Sequence, residues 1–324
     1  MKKTTTLKRY AIKREKAKRN LGKGVGVALF LGPYAICFLL FVLIPMIYGI
    51  VLAFMKFDGK SLVPSAFVGF DNFVKVFTNR VMIKDFWSAV GYTLRFEIII
   101  VPLCMIIPLA LALLINVKPF GYKFFRACIY LPGIFPLTAT GLILVRMFSR
   151  YTGFVNAFFH IDVNWLGNST MVWVLIGLFC LWCGIGGNFI ILSAGLENVD
   201  KTLYEASDID GAGFFQRIRY VTLPGIKSQL ILCLFTTLIG YMNLYGQNYI
   251  LGSNVTNPDE IMTAIYRIQN MLLGSSKNYG LVAAMAVTLG LIIGFISLIQ
   301  MICTGERKRG VRYAQEYAEW QKSH

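Results

Sequence analysis

Six long apolar runs alternate with shorter polar segments along the 324-residue chain. They fall at roughly 27–53, 89–115, 127–148, 171–195, 229–251 and 281–303. Each exceeds the ~18 apolar residues that mark a spanning helix, and ~20 residues at 1.5 Å rise cross a ~30 Å hydrocarbon core. The pattern predicts an all-α polytopic membrane protein with six transmembrane helices. Prolines 33, 45, 102, 108, 132 and 136 lie inside these runs. A spanning helix tolerates proline when neighbours satisfy the freed carbonyls. The first run is too long for the apolar core of a cleaved signal.

Composition agrees: 56% of residues are hydrophobic, mean hydropathy is +0.61, and a soluble domain sits nearer 45–50% apolar. The net charge of +16 is concentrated in the leader "MKKTTTLKRYAIKREKAKRNLGKGVG" (1–26), with ten Lys/Arg and one Glu. Beside a spanning helix such a run meets anionic lipid and sets orientation, so nucleic acid is not the expected partner. With the N-terminus inside, the inner segments (1–26, 116–126, 196–228, 304–324) hold 22 Lys/Arg in 91 residues, and the outer segments hold 8 in 86. The positive-inside rule therefore puts both termini, tails 1–26 and 304–324, in the cytoplasm.

Chemistry is sparse. Two histidines, His160 and His324, cannot build a His-rich metal site. Cys180 and Cys183 form "CLWC", which within an apolar run reads as buried small side chains rather than a redox pair. No GxxxxGK[ST] loop occurs, so this chain is not expected to bind ATP. No nucleophile–base set is visible, so it is not expected to be an enzyme. No cofactor or metal is expected. "GLIIG" at 290–294 fits close helix packing. Arg95 and Glu97 lie near the outer end of the second run; each either snorkels to the interface or lines a polar cavity.

The polar stretch 199–228 breaks this pattern with "YEASDIDGAGFFQRIRYVTLPG" (204–225). Asp200 is placed to cap a helix running to about Ile209. Leu203, Ala206 and Ile209 recur every three residues, and Glu205 and Asp208 stand one turn apart. Asp210-Gly211 is a turn signal. A second short helix follows, with Phe214, Ile218 and Val221 on its apolar face, Arg217 and Arg219 elsewhere, and Pro224 closing it. The prediction is a helix–turn–helix knob outside the lipid, suited to a protein groove. Two acids at its turn disfavour a hairpin lying on a negative leaflet.

This segment resembles the "EAA" coupling motif of ATP-binding-cassette importer permeases. The matching positions are Glu205, Ala206, Ser207, Asp210, Gly211, Ala212, Val221, Leu223 and Pro224. Ser207 replaces a second Ala, and Ser228 stands where a second Pro is common. "VGFDNFVKVF" (68–77), "FWSAVGYTLRF" (86–96), "FRACIYLPGIFPL" (125–137), "TGFVNAFF" (152–159) and "WLGN" (165–168) resemble carbohydrate-importer permeases of the maltose or multiple-sugar type. The resemblance implies a type I permease fold, working by alternating access in a bacterial plasma membrane. It implies as partners a second, non-identical permease, two ATPase subunits that hold ATP and Mg, and an extracytoplasmic solute-binding protein that delivers a sugar or oligosaccharide. A non-sugar cargo (glycerol phosphate, a polyamine or an amino acid) and a stand-alone carrier or channel are the alternatives.

The fifth run contains "TTLIGYMNLYGQNYILG" (236–252). On a continuous helix Tyr241, Tyr245 and Asn248 would share a face, with Asn243 and Gln247 as a second polar pair. Aromatics stack on sugar rings and amides exchange hydrogen bonds with hydroxyls, so these residues, with Asn188 of the fourth run, are substrate-contact candidates. The same side chains could instead glue helices together.

Overall fold

The computed structural model describes residues 29–59, 64–255, 257–274 and 278–304. The leader 1–26 and the tail beyond Thr304 lie outside them.

Four helices among the described residues are long and apolar enough to cross a membrane. They are α1 (Leu29–Ala53), α3 (Arg80–Asn116), α7 (Ser169–Glu197) and α13 (Tyr279–Thr304). These match the first, second, fourth and sixth predicted runs to within a few residues, apart from an N-terminal extension of α3. Pro45 is preceded by a π-helical turn, Leu39–Leu43, and α1 continues past it. Pro102 and Pro108 leave α3 unbroken. Pro108 has no N–H for the carbonyl of Cys104 one turn back. The side-chain amide of Asn188 on α7 donates to that oxygen at 2.8 Å, so a neighbouring helix restores the lost bond.

The other two predicted spans are not single helices. The third is α4 (Tyr122–Ile134) and α5 (Leu137–Met147), bent by 96°. Pro132 opens a 3-10 turn, Leu131–Ile134, Phe135 is extended, and Pro136 precedes α5. A proline drives the residue before it out of the helical region, and two prolines four residues apart exceed what the helix absorbs. The fifth is α10 (Lys227–Met242), an unwound Asn243–Tyr245, and α11 (Gly246–Leu251). There the freed carbonyl of Leu244 accepts the Thr263 hydroxyl. A Cβ on Gly246 would come within 2.3 Å of Leu137 Cδ2, so glycine lets α11 lie against α5.

α3 packs most extensively against α7, and Phe96, Ile100, Ile176 and Phe179 are buried in their cluster. A second cluster joins α13 to α1, α2 (Asp71–Thr78) and α12 (Ala264–Leu273) around Val76, Phe86, Met242 and Met285. α2 covers most of the "FDNFVKVF" stretch; its Asn72 amide donates to the carbonyls of Ala53 and Met55. Met55–Lys56 and Ala66–Phe67 pair as a minimal antiparallel ladder, β1 and β2. A third cluster, with Ala112, Phe189, Leu192, Leu196 and Ile226, supports the foot of α10. α6 (Phe154–Phe159) lies in the loop between α5 and α7. There Asn156 donates to the carbonyls of Arg150 and Val163 and accepts from the Trp165 indole.

Candidate functional site

Two regions carry the predicted site residues: the polar knob and the break in the fifth crossing.

The knob is α8 (Lys201–Ile209) and α9 (Phe214–Gly225) joined by a tight turn. Asp200 caps α8 by accepting from the Thr202 N–H at 3.0 Å, and this bond holds its carboxyl below the ordinary aspartate value. Gly211 has φ +72°, the left-handed conformation that glycine adopts without a Cβ penalty. The N–H groups of Gly211 and Ala212 then return to the carbonyls of Asp208 and Ser207. Gln216 Oε1 accepts from the Gly213 N–H at 2.8 Å, fixing the start of α9. Arg217 Nη1 meets Asp208 Oδ1 at 2.6 Å, and the hydroxyls of Tyr204 and Thr222 lie 3.0 Å apart. Ser207 is buried and donates to the Tyr204 carbonyl at 2.7 Å. A small residue is needed there, and a hydroxyl is accommodated. The two arms are therefore locked at several points.

Pro224 sits in the last turn of α9, which ends at Gly225 and meets α10 at 72°. At this joint Gly225 lies against Val199, and Ile226 is fully buried. Val221 packs on the third cluster, Ile218 and Leu223 are half-buried, and Phe214 is exposed. The predicted apolar face thus divides: one part seats the knob and the other is left open. Glu205, Ala206, Asp210, Leu203 and Ile209 are also exposed. Phe215 and Tyr220, off the predicted apolar face, are 82% and 72% exposed. Arg217, expected to point away, instead closes the turn.

In the fifth crossing the predicted common face of Tyr241, Tyr245 and Asn248 does not form. The chain unwinds between them, with Tyr245 at φ −135° and ψ −57°. Tyr241 stays below the break; its hydroxyl donates to the Cys180 carbonyl at 3.1 Å and lies 3.2 Å from Cys104 Sγ. Asn248 is fully buried and donates to the Ile261 carbonyl at 2.7 Å. Asn188 donates to Cys104 O and, at 2.9 Å, to Thr237 Oγ1. These three side chains spend their donors on helix–helix bonds. Asn243 is exposed and Gln247 half-buried. Tyr245 stacks on Tyr249 with ring centroids 5.6 Å apart and meets Tyr266 edge-on at 5.4 Å. Tyr249, one helical turn from Tyr245 and 56% exposed, was visible in the sequence as a second ring at i+4. Tyr266 comes from α12 and no local spacing points to it. The break therefore presents a tyrosine platform beside two amides.

The sequence profile of the family described as "Binding-protein-dependent transport system inner membrane component" matches residues 105–303. The chain is 30% identical to the probable starch degradation products transport system permease protein AmyD of Thermoanaerobacterium thermosulfurigenes, over 88% of this chain and 96% of that protein. It is 28% identical to the arabinooligosaccharides transport system permease protein AraP of Bacillus subtilis (strain 168), over 86% of this chain and 88% of that one. Its fold matches, with TM-score 0.74 and 22% identity over 90% of this chain and 99% of the other, a chain of a bacterial ABC transporter involved in the import of the acidic polysaccharide alginate.

Proposed function

The chain belongs to the family of binding-protein-dependent transport system inner membrane components, and from that premise we propose that it is the permease subunit of an ATP-driven importer of a sugar or oligosaccharide. The knob is the coupling element. Glu205, Ala206 and the exposed rings of Phe214, Phe215 and Tyr220 dock into a partner ATPase, while Val221 and Leu223 anchor the knob to the membrane body. ATP and Mg belong to two separate ATPase subunits, and this chain catalyses nothing itself. A second permease, a different chain, completes the pathway, and an extracytoplasmic solute-binding protein delivers the cargo. The knob and both termini face the cytoplasm, in keeping with the 22 Lys/Arg of the inner segments.

The observation that carries this reading is the joint between α9 and α10. The knob is continuous with the crossing whose break presents Asn243, Tyr245, Gln247 and Tyr249. Motion driven from the ATPase side therefore reaches the residues best suited to a sugar. Rings offer faces to pyranose carbons, and amides exchange bonds with hydroxyls. The exposed rings and amides support a sugar, as do the names of the relatives. Tyr241, Asn248 and Asn188 hold the helices that frame this site.

The test uses the assembled complex in liposomes. Gly211→Val forces a β-branched residue into the left-handed conformation, at a cost of about 1–2 kcal/mol, and Glu205→Arg reverses the docking charge. Both should abolish stimulation of ATP hydrolysis by loaded binding protein while leaving complex yield intact. Gly211→Asn, which tolerates the same backbone, should keep most of it. Unchanged stimulation in both disruptive variants would remove the knob from the mechanism.

A further inference from the structure

A groove of about 570 Å³ runs between α3 and α7 and backs, through Phe96, onto the ring of Tyr241. Its length is set by its lining. Tyr92 to Leu103 on α3 and Ser169 to Leu181 on α7 each span about 17–18 Å at 1.5 Å per residue. That is close to half of a ~30 Å hydrocarbon core, the depth of one leaflet. The groove is asymmetric along this length. Its mouth holds Tyr92, Arg95, Ser169, Thr170 and Glu260. The rest of its wall is apolar, made by Ile99, Ile100, Leu103, Val174, Leu178 and Leu181; Ile100 is buried, while Ile99 and Leu178 are 66% and 52% exposed on the open side.

Arg95 is exposed, and among the described residues no acid lies within ion-pair distance of it. It stands beside the N-terminus of the 29-residue α7, whose dipole favours a negative group. Glu260 shares the mouth without pairing to Arg95. Its Oε1 accepts one long bond, 3.3 Å, from the Asn257 amide. The mouth thus offers a cation without an ion-pair partner among the described residues, beside Glu260, whose carbonyl accepts from the Trp173 indole at 3.0 Å and whose carboxylate holds the Asn257 amide. A sugar is a poor occupant, because hydroxyls laid along the apolar wall would find no partners. A ligand with a dipolar ionic head and a hydrocarbon tail one leaflet long satisfies every part of the groove.

We propose that this groove is a lipid site that takes one acyl chain of a phospholipid bearing a primary ammonium headgroup, phosphatidylethanolamine. The phosphate sits at Arg95 and the start of α7, the ammonium faces Glu260, and the chain lies along Ile99, Leu103, Leu178 and Leu181. The lipid is distinct from the cargo. It fills the seam between the two helices that form the largest packed interface of the fold.

The structure supplies a plug for the test. Gly177 lines the groove, and a Cβ there would meet Phe96 Cε2 at 3.9 Å and Ile100 Cδ1 at 4.0 Å, ordinary contact. Gly177→Leu should therefore fold and fill the groove. The full complex, both permeases with their ATPases, is incubated with phosphatidylethanolamine, phosphatidylglycerol or phosphatidylcholine and examined by native mass spectrometry. One phosphatidylethanolamine should be retained per copy of this chain in preference to the other two lipids. Gly177→Leu should reduce retention at least tenfold. Arg95→Gln should weaken all three lipids several-fold, and Glu260→Gln should abolish only the preference for phosphatidylethanolamine over phosphatidylglycerol. If Gly177→Leu does not assemble, Leu178→Trp at the open side of the groove should give the same loss. Wild-type retention in a stable plugged variant would overturn the proposal. So would a photo-crosslinker at Leu178 that joins the second permease rather than lipid, and equal retention of all three lipids would overturn the headgroup assignment.

Discussion

Arg217 Nη1 lies 2.6 Å from Asp208 Oδ1, an ion pair that closes the two arms of the knob across Gly211. Both side chains are well exposed, at 36% and 59%, and such pairs are worth at most about 1 kcal/mol. Arg217→Gln should therefore leave the melting temperature of the complex nearly unchanged, because the Gly211 turn, the Gln216 bond and the Tyr204–Thr222 contact remain. Coupling should fall only partly, well short of the loss in Gly211→Val. Complete uncoupling by Arg217→Gln, measured as transport per ATP hydrolysed, would show that the guanidinium contacts the ATPase directly.

Asn188 and Pro108 form a second testable pair. The amide replaces the bond that proline denies to Cys104 O. Asn188→Ala should destabilise the complex by about 1 kcal/mol, the scale of one or two intramembrane hydrogen bonds. In a Pro108→Ala background the α3 ladder satisfies Cys104 O itself, and the cost of Asn188→Ala should shrink. Thermal unfolding of the four species closes the cycle. Additive effects would mean that Asn188 acts through something other than that carbonyl.

At the break, Tyr245→Ala, Gln247→Ala and Tyr249→Ala should each weaken uptake several-fold without lowering the yield of complex. Tyr245→Phe should retain most activity, since stacking uses the ring face. Asn248→Ala should instead lower yield, because its amide is fully buried on Ile261 O. Uptake assays beside quantified complex separate the two classes, and wild-type uptake in all three platform variants would make the tyrosines packing residues.

Asp162 accepts from Arg150 through both oxygens, at 2.7 and 2.8 Å, and the guanidinium holds its carboxyl below the ordinary aspartate value. A depressed folded value means that the pair contributes fully above the ordinary value of about 3.9. The contribution is lost as pH falls through the folded value. Amide protection across residues 150–163, taken relative to the intrinsic exchange rate at each pH, should therefore fall in acid in the wild type and be already low at neutral pH in Asp162→Asn. Identical exchange in both proteins at neutral pH would show the loop is held by Asn156 alone.

The knob was readable because its determinants are local. Asp200, Gly211 and Pro224 each act within four residues, and glycine at a left-handed turn has a direct chemical reason. The breaks were not readable from hydropathy, which sees "LPGIFP" and "MNLYG" as apolar runs. The first unwinds because two prolines act together, and the second because Thr263, in a distant segment, supplies a hydroxyl to Leu244. The shared face drawn through Tyr241, Tyr245 and Asn248 assumed a continuous ladder and fails at that point. Tyr266 and Arg217 gained their roles through contacts made across the fold or the turn, which periodicity along one helix cannot report. The tolerance of Pro108 was legible in principle; that Asn188 provides it required the packing of α3 on α7.

In the proposed coupling role, the 72° elbow at Ile226 would make a bell-crank of α9 and α10. Thrust delivered along one rod of such a device emerges mostly as a sideways swing of the other. The buried isoleucine at the corner is then a bearing, and the unwound residues above Met242 are a second, softer pivot that lets the lower rod turn while the tyrosine-bearing tip follows its own neighbours. Stiffening either pivot should stall the stroke without touching the motor or the cargo.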